Sequence, residues 1–286
     1  MRRHLSLYAT AARYDLVEHS RNRFAMLLIV LYIPLWISLA YVAIPDRPAP
    51  LHLRSTGEHL APAGNELTQI TGAINAVTLI TGFMMFAATF TGHRFDRRLA
   101  MAGYPRLHLI TAKATSLTLT SAFIAVYAAA VTCLSWTPKQ PLQLAAALFC
   151  AAMTYGAIGV ILGSILRREV EGMFALVMIS VIDVLLPNPM WSSGADSSLI
   201  RFLPSYGASQ AATAAGFSTT TTPAHLAIEL LWFTGAALLA LLTFHRRTRS
   251  AHHKPQPSGT VAMVPQPEVT APQGGHDATD PAGAGA

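Results

Sequence analysis

Two acids, Asp183 and Glu229, and a row of small polar side chains are set in stretches of this chain that are otherwise apolar. The row, Thr71, Asn75, Thr78, Gly82, Met85 and Thr89, advances by three or four residues at each step, so on a helix it forms one continuous face. Such a face either lines a polar path or bonds a neighbouring helix. An acid inside an apolar span faces a cavity or a partner, because its charge is costly there. At 1.5 Å per residue, Asp183 lies ~16 Å from one end of its span and Glu229 ~9 Å from the opposite face. In a core ~30 Å thick both then fall in the same outer half. Gly159 and Gly163, reinforced by Gly156, have the small-x-x-x-small spacing that lets a second helix approach closely.

The arrangements that carry bond-breaking chemistry are missing. Lys113, Lys139 and Lys254 follow Ala112, Pro138 and His253, whereas a phosphate-cradling loop needs Gly-Lys-Ser/Thr. There is no His-Glu-x-x-His. The serine of Gly163-Ser164 has no helical histidine nearby, which argues against an intramembrane protease. Cys133 and Cys150 read as small buried apolar residues, and His252-His253 as solvated tail. No catalytic residue, metal or cofactor is expected.

The elements that position these groups follow from composition. Hydrophobic residues are 52% of the 286 and charged residues 12%, against roughly 25% charged in a soluble domain, and the mean hydropathy is +0.41. Residues 24–45, 67–92, 114–138 and 140–166 contain no Asp, Glu, Lys or Arg, and about 20 apolar residues cross a bilayer as a helix. The pattern predicts an all-α integral membrane protein with six transmembrane helices, at 24–44, 70–92, 114–136, 142–165, 172–186 and 224–244. The fifth is short and ends at Pro187-Asn188-Pro189, where the ring and the missing N–H stop a helix. Arg2, Arg3, Arg13, Arg21 and Arg23 break up the first 23 residues, which argues against a cleaved signal peptide.

Basic residues set the orientation. The N-terminal segment, the second and fourth connections and the tail together hold sixteen of them, and the opposite connections only Arg47, Arg54, Lys139 and Arg201. The positive-inside rule then puts both termini in the cytoplasm, as expected of a plasma-membrane protein. The net charge of +6 reflects topology and anionic lipid rather than nucleic acid.

Three domains result. Residues 1–23 form a cytoplasmic amphipathic helix on the membrane surface, with Leu5, Tyr8, Ala9, Ala12, Leu16 and Val17 at helical spacing. Residues 24–244 form the six-span domain. Residues 245–286 are a basic, then Pro-, Gly- and Ala-rich tail with too little apolar surface to order itself. Within the second connection, 93–113, a short apolar run at 99–102 precedes Gly103-Tyr104-Pro105, where the chain turns. This is either a helix that docks in a partner's groove or a basic loop that fixes topology. Outside, 199–217 with Leu203-Pro204 is too mixed to span and suits a re-entrant or interfacial hairpin.

Together these features resemble the permease subunit of ABC type 2 exporters over roughly residues 1–249. The resemblance rests on the N-terminal helix, the basic connection through Gly103-Tyr104-Pro105-Arg106, the proline-ended fifth span, the outer hairpin and the closing His245-Arg246-Arg247. Where many members have a Glu-rich stretch before the proline, this chain has Arg97-Arg98-Leu99. The resemblance implies a half-transporter that dimerises as homo- or heterodimer, exports a drug, antibiotic or lipid-like substrate, and is driven by a separately encoded ATPase. It also implies a coupling helix contacting that ATPase through Asp96, Arg97, Arg98, Leu99, Met101, Ala102 and Gly103. Thr71, Asn75, Thr78, Met85, Thr89, Asp183 and Glu229 are then candidates for the translocation path. The competing reading is a stand-alone channel, sensor or immunity protein. Topology is directly testable. Reporters within 93–113 or after Arg249 should be cytoplasmic and reporters at 50–60 or 190–200 external, whereas a cytoplasmic signal at position 55 contradicts the six-span reading.

Overall fold

A backbone in hydrocarbon has only itself to hydrogen-bond, so long apolar runs fold as helices and breaks fall at proline and glycine. The computed structural model describes residues 2–21, 23–54, 57–101, 103–190, 192 and 197–249. For residues 2–7, 18–20, 24, 93–97, 100, 101, 106, 244, 245 and 247–249 the backbone alone is described. The tail from residue 250 lies outside the described residues.

The described chain is predominantly helical. Helix α1 (Arg2–Arg21) precedes α2 (Arg23–Leu27), a π turn (Leu28–Tyr32) and α3 (Ile33–Val42). There follow α4 (Gly64–Met101), α5 (Arg106–Ser135), α6 (Pro141–Ile165), α7 (Glu169–Leu185), a 3-10 turn (Ser198–Phe202), α8 (Tyr206–Phe217) and α9 (Pro223–Arg249). Five stretches are long and apolar enough to cross a membrane: Ala25–Val42, Gly64–Gly92, Leu107–Ser135, Pro141–Ile165 and Pro223–Thr243. The fifth expected span is α7, whose 17 residues reach ~26 Å, short of a ~30 Å core.

Proline explains several boundaries. Pro105 precedes α5, Pro141 opens α6, Pro223 opens α9 and Pro187 follows α7, all places where a missing N–H costs no helical bond. Pro34 sits inside the first span, where it can neither donate to the carbonyl of Val30 nor leave the turn before it undisturbed. The backbone widens there into the π turn, and the Tyr127 hydroxyl donates to the Val30 carbonyl at 3.4 Å.

One expectation is corrected. The short coupling helix over 95–104 is not a separate element: α4 runs unbroken from Gly64 to Met101. Gly92 alone costs a helix only about 1 kcal/mol, and the break comes at Gly103, whose φ of +85° suits glycine. Two short strands accompany the helices. Strands β1 (Leu51–Leu53) and β2 (Glu58–Leu60) pair antiparallel, Leu51 opposite Leu60 and His52 opposite His59. Gly57, with φ +72°, lies in their turn. On α1, Ala12 of the expected stripe is buried and Tyr8 and Leu16 are half-buried, while Ala9 and Val17 are exposed. Its Tyr8 hydroxyl meets the Thr115 hydroxyl of α5 at 2.6 Å.

Helices α4 and α6 form the centre. Ile70, Ile74, Val77 and Phe86 of α4 and Leu144, Leu148 and Tyr155 of α6 are all but fully buried. Their close approach depends on glycine. A Cβ on Gly159 would strike the Gly82 carbonyl, one on Gly163 would lie 2.8 Å from the Phe86 carbonyl, and one on Gly156 would strike the Leu117 side chain. Gly159→Leu should therefore separate α4 from α6 and destabilise the fold by at least the roughly 1–3 kcal/mol typical of overpacking, read as a lower melting temperature in detergent. Gly235→Ala, with nothing within 4 Å of the added carbon, should leave it unchanged.

Candidate functional site

The polar face of α4 is turned toward α7 and the segment after it. Asn75 Nδ2 donates to Ser180 Oγ of α7 at 3.1 Å, and the Thr78 and Ser180 hydroxyls lie 3.0 Å apart. One step nearer the hairpin, Asn188 Nδ2 donates to Thr71 Oγ1 at 2.8 Å. At that same end Gln69 bonds both Ser135 Oγ, at 2.8 Å, and the Trp136 indole N–H, at 2.7 Å. Along this half of α4 the polar groups hold helices together. Met85 belongs instead to an apolar cluster with Leu117 and Met153, and Thr89 is buried beside the α6 glycine at position 163.

The two acids meet at α8. This helix packs its C-terminal end against the α5–α6 connection, where Lys139 N donates to the Gly216 carbonyl at 3.1 Å and Gln140 N to that of Ala215 at 2.8 Å. Trp136 stacks on Phe217 with ring centres 5.2 Å apart. With 12 residues the helix is ~18 Å long, so its N-terminus points into the bundle, and nine of its residues are buried. The first amides of a helix have no internal partner, and at this depth no water serves them. Asp183 Oδ2 of α7 accepts from Ser205 N at 2.9 Å, and Glu229 Oε2 of α9 accepts from Ala208 N at 3.1 Å. The Tyr155 hydroxyl of α6 donates to the same Asp183 oxygen at 2.5 Å. Asp183 is 1% exposed and Glu229 0%. Carboxylates at the positive end of a helix dipole are stabilising, so three helices, α6, α7 and α9, converge on the buried start of α8.

A cavity of about 310 Å³ opens between the hairpin and this junction. His52 and Arg54 of β1 and its turn, His59 of β2, Thr71 of α4, Asn188, and Tyr206 and Gln210 of α8 line it. The His52 and His59 rings lie 4.6 Å apart, and Arg54 Nη1 donates to the Ser197 carbonyl at 3.2 Å. Of the path candidates only Thr71 reaches this cavity; Asp183 and Glu229 do not line it. Among the described residues no group of three or more His, Cys, Asp or Glu is placed to hold a metal ion, and the junction pairs no nucleophile with a base.

At the other, arginine-rich end, Arg98 is exposed, Leu99 half-buried and Gly103 exposed. The side chains of Asp96, Arg97 and Met101, and Ala102 as a whole, lie outside the described residues. Tyr155, Ser180, Asn188 and Gln69 escaped the sequence reading. Each has its partner 24 to over 100 positions away in the chain. No protein-family model matches the chain, and no curated protein matches it.

The acid junction yields a stability prediction. Asp183→Ala leaves the Tyr155 hydroxyl and the Ser205 amide unpaired in the interior, which should cost about 2–5 kcal/mol. Asp183→Asn keeps an acceptor and should cost less. Thermal unfolding in detergent reads both; an alanine variant as stable as the parent would contradict the capping role.

Proposed function

We propose that the chain is the membrane-spanning permease subunit of an ABC type 2 exporter, with six spans, α7 being the fifth. It works as one half of a dimer driven by a separately encoded ATPase and passes a drug-, antibiotic- or lipid-like substrate. The observation that best supports this reading is the unbroken α4. Its 38 residues span ~57 Å, nearly twice the ~30 Å hydrocarbon core, so one rigid element joins the basic end to the polar junction.

In this reading both termini are cytoplasmic and α1 lies at the inner surface. The end of α4 with the turn at Gly103 is the contact for the ATPase. Closure of two ATPases would push on that end, and a continuous helix transmits the push along its axis. The bonds from Thr71, Asn75 and Thr78 would carry the shift to α7 and the segment after it, and thence to α8 and the cavity under the hairpin. The chain itself would hydrolyse nothing. Since α7 takes up most of the α4 polar face, cargo would meet the chain at Thr71 and the hairpin-end cavity, with the remaining walls supplied by the second permease copy.

The arginines at the contact give the test. Arg97→Glu with Arg98→Glu reverses the charge, and like charges at such a contact repel. Arg94, Arg106 and Lys113 remain, so a reporter after Arg249 should still be cytoplasmic. The double variant should no longer co-purify with its ATPase, or should no longer export. Correct insertion with ATPase binding and transport at the parent rate would remove these arginines from the coupling surface.

A further inference from the structure

Helices α5 and α9 both pack on α6 and leave a groove between them. Its volume is about 310 Å³, and Met85, Leu117, Met153, Ala157, Phe233 and Ala237 form most of its wall. Small side chains make the space: Ala114 on α5, Ala157 on α6, and Ala237 and Ala240 on α9. Lys113 stands at the end of this otherwise apolar groove.

The same lysine lines a second, larger cavity of about 550 Å³ at the arginine-rich end, between α1, the end of α4 and the start of α5. Tyr14, Asp15 and Arg21 of α1 and Tyr104 line it as well. Lys113 Nζ lies 3.8 Å from Asp15 Oδ1, a long ion pair, and among the described residues that line the cavity Asp15 is the one acid beside two basic side chains, Lys113 and Arg21. An apolar slot and a polar chamber with surplus positive charge thus meet at one residue.

We propose that a single anionic phospholipid binds here, one acyl chain in the α5–α9 groove and its phosphate between Lys113 and Arg21. The groove lies within spans long and apolar enough to cross a membrane, where the surrounding solvent is hydrocarbon and apolar space does not hold water. A helix from another chain, about 10 Å across, is too wide for a groove of this volume, whereas an acyl chain is not. A lysine whose stem follows apolar surface while its ammonium reaches the headgroup level is the usual disposition at a membrane boundary. A monoanionic phosphate matches the charge surplus, and a zwitterionic headgroup does not. The bound lipid would tie α1 to the bundle whether or not the chain is an exporter.

Native mass spectrometry of the full chain, without any partner, tests this. The protein is titrated with palmitoyl-oleoyl phosphatidylglycerol or with phosphatidylcholine carrying the same chains. The parent should retain one phosphatidylglycerol in preference to phosphatidylcholine. Lys113→Gln should reduce that preference about fivefold, the worth of one basic residue near anionic lipid, and Lys113→Arg should restore it. Ala237→Phe fills the groove and should weaken both lipids, while Leu134→Phe, at an 85% exposed position elsewhere on α5, should change neither. Equal retention of the two lipids by the parent, or an unaltered preference in Lys113→Gln, would overturn the headgroup assignment. An Ala237→Phe variant that melts like the parent and holds both lipids as tightly would overturn the placement of the chain.

Discussion

A backbone amide cannot be left unpaired in hydrocarbon, and the interior of this protein is arranged around that constraint. At the N-terminus of α8, helical N–H groups without an internal partner lie buried among the helices. Asp183 and Glu229 each receive one of them through a single carboxylate oxygen, and Tyr155 donates to that same oxygen of Asp183. With these bonds α7, α8 and α9 become one unit, fastened to α6 by a tyrosine that is itself fully buried. The two costly acids are offset by the donors they serve.

The second organising feature is the α4–α6 contact. Gly82, Gly159 and Gly163 bring two backbones together so closely that no side chain fits between them, which fixes α4 against α6 along its middle. The polar residues nearer the hairpin then fix α4 to α7 and Asn188. A helix held this way along its length and extending ~13 Å beyond Gly92 transmits force better than a hinged loop, and this is what makes the exporter reading mechanically coherent.

Much of this was legible in the chain. Charge-free runs located four of the five long spans, and the expected starts at 142 and 224 fall within a residue of Pro141 and Pro223, which open α6 and α9. The glycine spacing in α6 announced a close approach, and the Leu203-Pro204 segment announced a hairpin that does not span. Other features carried no local signal. The identity of the helix facing the α4 stripe depends on Ser180, an ordinary residue in an apolar run. The role of the acids depends on the backbone of α8, which no side-chain pattern reveals. The end of α4 was misjudged because the basic connection was read as separate from the span, whether as a short helix or a loop, although nothing before Gly103 breaks a helix. The hairpin escaped because each strand is three residues long, too short for alternation to register.

The functional claim turns on whether a second kind of subunit drives this one. The most direct measurement is the subunit composition of the complex, after gentle extraction from the native membrane and purification through a tag on the permease. The account predicts an ATP-binding-cassette ATPase in equimolar amount with the permease, its ATP hydrolysis altered by release from the complex. A chain recovered as a stable, folded protein with no such ATPase, from membranes in which it is active, would contradict it.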